Sequence, residues 1–169
     1  MKISIIGQPG SGKSTLASKI SKKFNIPHLQ LDRFWFEYGG NKLKPGDIEG
    51  AEKIRAYMKE SVISFINEHD SWVSDGTYPR VQSIIVEHAD YVIFLDIPLY
   101  RRLFNHTKRI FKSDRHKELT KWKDFKFIYQ IIRRTFLKGP KLRQFVLDHP
   151  DKIKVYKNYK EIELYFNNL

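Results

Sequence analysis

The chain has 169 residues, 41% apolar and 30% charged, a balance that reads as globular rather than disordered and fits one compact domain spanning 1–169. It has no cysteine, which excludes a disulfide framework, a thiolate metal site and a thiol nucleophile. The net charge of +12 falls entirely between Ile97 and Leu147, where 15 Lys and Arg stand against 3 Asp and Glu, so this stretch is expected to meet an anion.

The elements follow in order. Ile3 to Ile6 is a short apolar run ending in Gly, as a buried parallel strand does. It is too short for a signal peptide. Leu16, Ile20 and Phe24 recur at helical spacing, and His28 to Leu31 after Pro27 reads as a second strand. Asp47 is placed to cap a long helix whose face carries Ala51, Ile54, Met58, Val62 and Phe65. Ser71 to Ser74 is a third strand, and Tyr91 to Leu95, apolar throughout, is the clearest strand. A helix then runs to about Phe111. Phe125, Ile128, Ile132 and Phe136 mark the buried face of another helix, ending at Gly139, with Arg133 and Arg134 on its opposite side. Pro140 opens a further helical piece. Ile153 to Tyr156 is a fifth strand, and Asn158 with Glu161 forms a capping box for the last helix. Alternating strands and helices imply a three-layer α/β fold with a five-stranded parallel sheet. No apolar run reaches the ~18 residues of a membrane span, and a cytoplasmic protein without a membrane partner is expected.

Between the first strand and the first helix, Gly7, Gln8, Pro9, Gly10, Ser11, Gly12, Lys13 and Ser14 fit the phosphate-loop pattern G-x-x-x-x-G-K-[ST]. Its glycines let the backbone curl so that successive N–H groups turn inward, and the helix N-terminus adds partial positive charge. Lys13 is expected at the β- and γ-phosphates, Ser14 on Mg²⁺ and Thr15 at the α-phosphate. The pattern implies ATP or GTP with Mg²⁺, and leaves the reaction open.

Three further segments resemble the nucleoside-monophosphate and small-molecule kinases. Asp75-Gly76-Thr77-Tyr78-Pro79-Arg80 is similar to the Asp-Gly-Phe-Pro-Arg segment of adenylate kinases, with one residue more. The resemblance implies that Asp75 orders the Mg²⁺ shell and that Arg80 holds the acceptor's phosphate. Leu95-Asp96-Ile97-Pro98 is similar to the strand end that opens the lid helix of those kinases, where two arginines follow the Asp at nine and thirteen residues. Arg109 stands at the second place and Asn105 at the first. Arg109 and Arg115 become candidate clamps on the transferring phosphoryl group, in a lid over about 100–120. Asp32 closes the second strand, where such kinases carry an Asp that takes a hydroxyl proton or binds a sugar hydroxyl. Trp35 beside it is a stacking surface or core packing. With His28 to Trp35, Trp72 to Tyr78 and Val92 to Pro98 taken together, the chain resembles the bacterial DNA topology modulation (FlaR-like) proteins, adenylate-kinase-like P-loop proteins. That implies strand order 2-3-1-4-5 and a helical basic lid.

The expected activity is Mg²⁺-ATP-dependent phosphoryl transfer to a small acceptor, a nucleotide or nucleoside. Asp32 favours a hydroxyl acceptor and Arg80 one that already carries phosphate, and the choice stays open. The alternative is an ATP-binding protein associated with nucleic acid. For the basic stretch three readings compete: a lid over anions, surplus surface charge, and a nucleic-acid partner. His106 and His116 are expected to face solvent rather than bind zinc. Asn158 is read as a cap, with an adenine contact as the rival. Oligomeric state is not legible.

Overall fold

The computed structural model describes residues 1–44, 46–112 and 119–167, without the side chains of 109–112, 119–127, 163 and 167. Five strands, β1 (Lys2–Gly7), β2 (His28–Gln30), β3 (Trp72–Asp75), β4 (Tyr91–Leu95) and β5 (Ile153–Tyr156), form a parallel sheet in the order β2-β3-β1-β4-β5. Seven helices run among the described residues: α1 (Lys13–Phe24), α2 (Leu31–Glu37), α3 (Ile48–Glu68), α4 (Pro79–His88), α5 (Leu99–Lys112), α6 (Leu119–Leu147) and α7 (Tyr159–Asn167). None of the described helices is long and apolar enough to cross a membrane. The expected α/β class and strand order are those observed.

The chain forms two compact units. The first comprises 1–6 and 14–92, the second 7–13 and 93–169, so the boundary runs through the phosphate loop at the Lys13–Ser14 bond.

In the first unit β1 aligns with β3, Lys2 opposite Trp72 and Ile5 opposite Asp75, while β2 places Gln30 opposite Asp75. Ile3, Ile5, Trp72 and Val73 are fully buried, as a strand covered on both faces requires. Asp47 caps α3, accepting from Gly50 N at 2.8 Å, as expected. The buried face of α3 is Ile54, Met58, Val62 and Ile66. Ile66 takes the place expected of Phe65, because a strict four-residue step follows the core, and Phe65 instead stacks on His69 with ring centroids 4.4 Å apart. Two short helices went unread. The second strand ends at Gln30, and Leu31, buried, begins α2. Asp32 therefore sits in the first turn of a helix. Pro79 opens α4, whose buried face is Val81, Gln82, Ile85 and Val86.

In the second unit α6 is one helix through Gly139 and Pro140, not two pieces. Gly139 is not a terminator. A Cβ there would fall 2.5 Å from the Gln8 Nε2, so the glycine makes room for the phosphate loop. Pro140 is exposed, and the carbonyl it leaves without a helical donor belongs to the exposed turn of Phe136. The buried stripe of α6 is also displaced from the expected one. Ile131, Gly139 and Val146 are buried, whereas Ile132 is 37% and Phe136 69% exposed. Phe125 has no described side chain. Residues 131, 135, 139 and 146 follow the 3.6-residue period with a small side chain, Thr135 or Gly139, where the loop and Arg102 come close. An apolar-only count misses such a stripe.

Candidate active site

On the first unit the site grows from the C-terminal end of β3. Asp75 is the last residue of that strand and is 6% exposed. Gly76 follows with φ +130°, and a Cβ would lie 2.8 Å from the Leu31 Cβ, so only glycine allows this approach. The Ser14 hydroxyl, in the first turn of α1, donates to Asp75 Oδ2. The expected metal pair, Ser14 and Asp75, is thus brought together. His28 Nε2 donates to Asp75 Oδ1 at 2.8 Å, an approach that no sequence motif announced. His28 and Gln30 share one face of β2 because side chains alternate, and the Gln30 Nε2 lies 3.4 Å from His28 Nδ1. Sheet register provides the missing signal: β2 and β3 pair with Gln30 opposite Asp75, which sets His28 diagonal to the carboxylate.

Beside this trio, Tyr78 donates its hydroxyl to Asp32 Oδ1 at 2.7 Å. The Trp35 ring lies 6.2 Å from that of Tyr78, and it covers Gly40 so closely that a Cβ would meet the indole at 2.2 Å. Arg80, in the first turn of α4, pairs with Glu52 Oε2, and the other oxygen of Glu52 takes Arg55 Nη1 at 2.7 Å. Two guanidinium groups from α3 and α4 thus converge on one carboxylate. Arg55 and Glu52 were not singled out from the sequence, since nothing in a surface-like helical run marks them.

In the second unit the loop is braced through its carbonyl groups. Lys13 Nζ donates to Gln8 O at 3.0 Å, and Ser11 N to the same oxygen at 3.2 Å. Arg102, 3% exposed, donates to Gln8 Oε1 at 3.0 Å, Pro9 O at 3.4 Å, Ile97 O at 3.0 Å and Thr135 Oγ1 at 2.9 Å. Burial pushes its pKa below the ordinary range, Asp96 pulls it up, and Arg143, itself 3.1 Å from Asp96, pushes it down. Arg102 therefore faces inward as a loop support. Asn105 stands where the kinase pattern has an arginine. It donates to Gly10 O at 3.1 Å and to the Tyr159 hydroxyl at 2.8 Å. Tyr159 in turn donates to Ser11 O at 2.8 Å. Burial pushes the Tyr159 pKa up, against the Asn105 hydrogen bond and the Arg101 charge, which lower it.

The loop glycines answer to these neighbours. Gly10 has φ +80° and a Cβ there would stand 2.9 Å from Arg102 O. Gly12 has φ +82°, and its Cβ would stand 2.9 Å from the Tyr159 hydroxyl. Ser11 is fully buried and its Oγ lacks a hydrogen-bond partner among the described residues. The Gln8 side chain turns inward to Arg102, while Thr15 is exposed. The side chain of Arg109 and the whole of Arg115 lie outside the described residues, as does His116. Asn158 is a cap: its Oδ1 accepts from Glu161 N at 3.0 Å, and its amide donates to Glu161 Oε1 at 2.5 Å.

A glycine loop leading from a buried strand into a helix, on a parallel sheet in this strand order, defines the P-loop class of nucleotide-binding α/β proteins. The chain belongs to the AAA domain family, which residues 6–120 match. It is 34% identical over 88 residues to adenylate kinase 1 of Schistosoma mansoni, covering 46% of this chain and 44% of that one. It is 30% identical over 101 residues to the shikimate kinase of Mycobacterium ulcerans, covering 57% and 54%. The chain spans about half the length of the curated relatives it matches. Among solved structures, a shikimate kinase from Acinetobacter baumannii in complex with shikimate superposes with a TM-score of 0.59 at 15% identity, over 99% of this chain and 93% of the other. That likeness shows the fold.

Proposed function

We propose that the chain is a P-loop kinase that transfers the terminal phosphoryl group of Mg²⁺-ATP to a small nucleotide or nucleoside acceptor. The observation that carries this reading is the Ser14 hydroxyl set against the Asp75 carboxylate, one residue after Lys13. The kinases named among the matched relatives support it, as does the resemblance to adenylate-kinase-like topology modulation proteins.

The donor set fits the cofactor. A hydroxyl and a carboxylate are hard oxygen ligands, which suit Mg²⁺, and Mg²⁺ takes only one or two protein groups because it keeps waters and phosphate oxygens. When bound, the ion neutralises charge developing on the phosphates.

The chain's own residues do the rest. Lys13, parked on Gln8 O, swings to the phosphates, where an anion is the stronger acceptor. The inward-turned loop N–H groups cradle them. Asp32 orients the acceptor and takes the proton of a hydroxyl acceptor. Arg80, with Arg55, holds an anionic acceptor, for which the Glu52 carboxylate stands in. Arg109 and Arg115 are proposed, from the sequence resemblance alone, as charge clamps on the transferring group. Catalysis is then positioning and charge neutralisation, with little covalent chemistry asked of the protein.

The test is ADP release from Mg²⁺-ATP across nucleosides, nucleoside monophosphates and small hydroxylated metabolites. One acceptor is expected to raise turnover well above the water-only rate, and Lys13→Ala to lower it about 100- to 1,000-fold. A flat response across the whole panel, or a Lys13→Ala protein as active as the parent, overturns the reading.

A further inference from the structure

We propose that His28 is a positioning residue for the divalent cation, holding the Asp75 carboxylate in the orientation that the Ser14–Asp75 pair needs. The inference rests on the kinase reading above and adds a residue to it.

The carboxylate of Asp75 is 6% exposed and cannot rely on water, so each oxygen needs a donor. The two oxygens are satisfied from opposite directions. Oδ1 accepts from His28 Nε2 at 2.8 Å, and Oδ2 accepts from the Ser14 hydroxyl. These two donors differ in what a cation does to them. Ser14 Oγ and Asp75 Oδ2 would hold the cation; the serine proton would then turn away, and Oδ2 would lose that donor. The His28 bond on Oδ1 is untouched, because the imidazole lies on the far oxygen and only donates.

His28 is therefore the donor common to both states. It stops the carboxylate rotating about its Cβ–Cγ bond when the serine lets go, and so keeps Oδ2 aimed at the ion. The histidine is well placed for this. It is 11% exposed, it rises from a strand rather than a loop, and Gln30 sits at its other ring nitrogen. With the Gln30 amide set to donate to Nδ1, the ring proton sits on Nε2 and faces the carboxylate. Groups that orient a metal ligand in this way typically change metal affinity 10- to 100-fold when removed.

Three variants of the full chain test it: His28→Leu removes the donor, His28→Gln keeps an N–H at nearly the same reach, and His28→Asn has one too short. ATP binding is measured by calorimetry at increasing Mg²⁺ and again in EDTA. His28→Leu is expected to raise the Mg²⁺ needed for half-maximal ATP binding about 10-fold or more, leave binding in EDTA within about twofold, and be rescued by His28→Gln to within about threefold. His28→Asn is expected to behave like His28→Leu, and it carries the comparison with His28→Gln if the leucine protein does not fold. An unchanged Mg²⁺ requirement in the donor-less variants overturns the proposal, as does an equal loss in EDTA or a failure of His28→Gln to rescue. A parent protein whose ATP binding ignores Mg²⁺ also overturns this inference, while the kinase reading stands or falls separately on the acceptor panel. A Mg²⁺-dependent parent with indifferent variants removes this inference alone.

Discussion

The two compact units hold their polar groups in opposite ways. In the unit carrying Asp75, side chains pair with side chains: Ser14 and His28 on Asp75, Tyr78 on Asp32, Arg80 and Arg55 on Glu52. On the proposed kinase reading, several of these contacts are given up when a cation or an acceptor arrives. In the unit carrying the glycine loop, Arg102, Asn105 and Tyr159 each hold at least one backbone carbonyl, of Pro9, Ile97, Gly10 or Ser11, besides their side-chain partners. Phosphate binds the N–H side of such a loop, so none of those bonds has to break. On the proposed reading the first half exchanges partners, whereas in the second Lys13 leaves its Gln8 carbonyl while the Arg102, Asn105 and Tyr159 bonds stay. A preformed cradle lowers the ordering cost of binding, whereas exchangeable pairs lower its net gain but let the site distinguish ligands.

The largest effect that tests this contrast lies in the permanent half. Arg102→Leu takes the guanidinium donor from four oxygens, two of them in buried bonds, and should destabilise the protein by about 2–4 kcal/mol. Arg102→Lys should restore little, since one ammonium cannot reproduce the guanidinium fork. Urea unfolding measures both, and a midpoint unmoved by the leucine would contradict the brace.

A smaller effect is expected at Tyr159. Burial favours its neutral form, so its folded pKa stands above the unfolded value of about 10. A group raised in this way contributes stability that is complete below the unfolded pKa and is lost as pH climbs through the folded one. The parent should therefore lose stability above about pH 10 more steeply than Tyr159→Phe. Parallel alkaline limbs in thermal melts would remove the brace at Ser11.

The smallest effect belongs to the exchangeable half. Tyr78→Phe deletes one exposed bond to Asp32 and should lower kcat/KM for a hydroxyl acceptor about two- to tenfold, with the KM for ATP and the melting temperature nearly unchanged. A change confined to ATP would place Tyr78 in the wrong half.

The same contrast explains what was legible beforehand. The phosphate loop, the strand order and the Ser14–Asp75 pair are local or carried by a family resemblance, and chain order is enough to see them. The short helix at Leu31 escaped because its first residue is as apolar as a strand end. His28 escaped because its meaning comes from register between β2 and β3, a relation across 47 residues. Arg102 read as one more charge in a basic run, and only its burial separates it from the exposed Arg101. Gly139 and Pro140 read as a stop because that pair usually is one. Here a distant glutamine decides the glycine.

The tryptophans give this protein an optical gauge. Trp72 is sealed in the sheet, with its indole N–H unpartnered among the described residues, so its emission is a constant background. Trp35 is only half covered and lies against Tyr78, whose hydroxyl rests on Asp32. A ligand that draws Asp32 away from Tyr78 changes the surroundings of that one indole. With Trp122 replaced by phenylalanine, occupancy of the acceptor side is then readable as a colour and intensity change, without a dye.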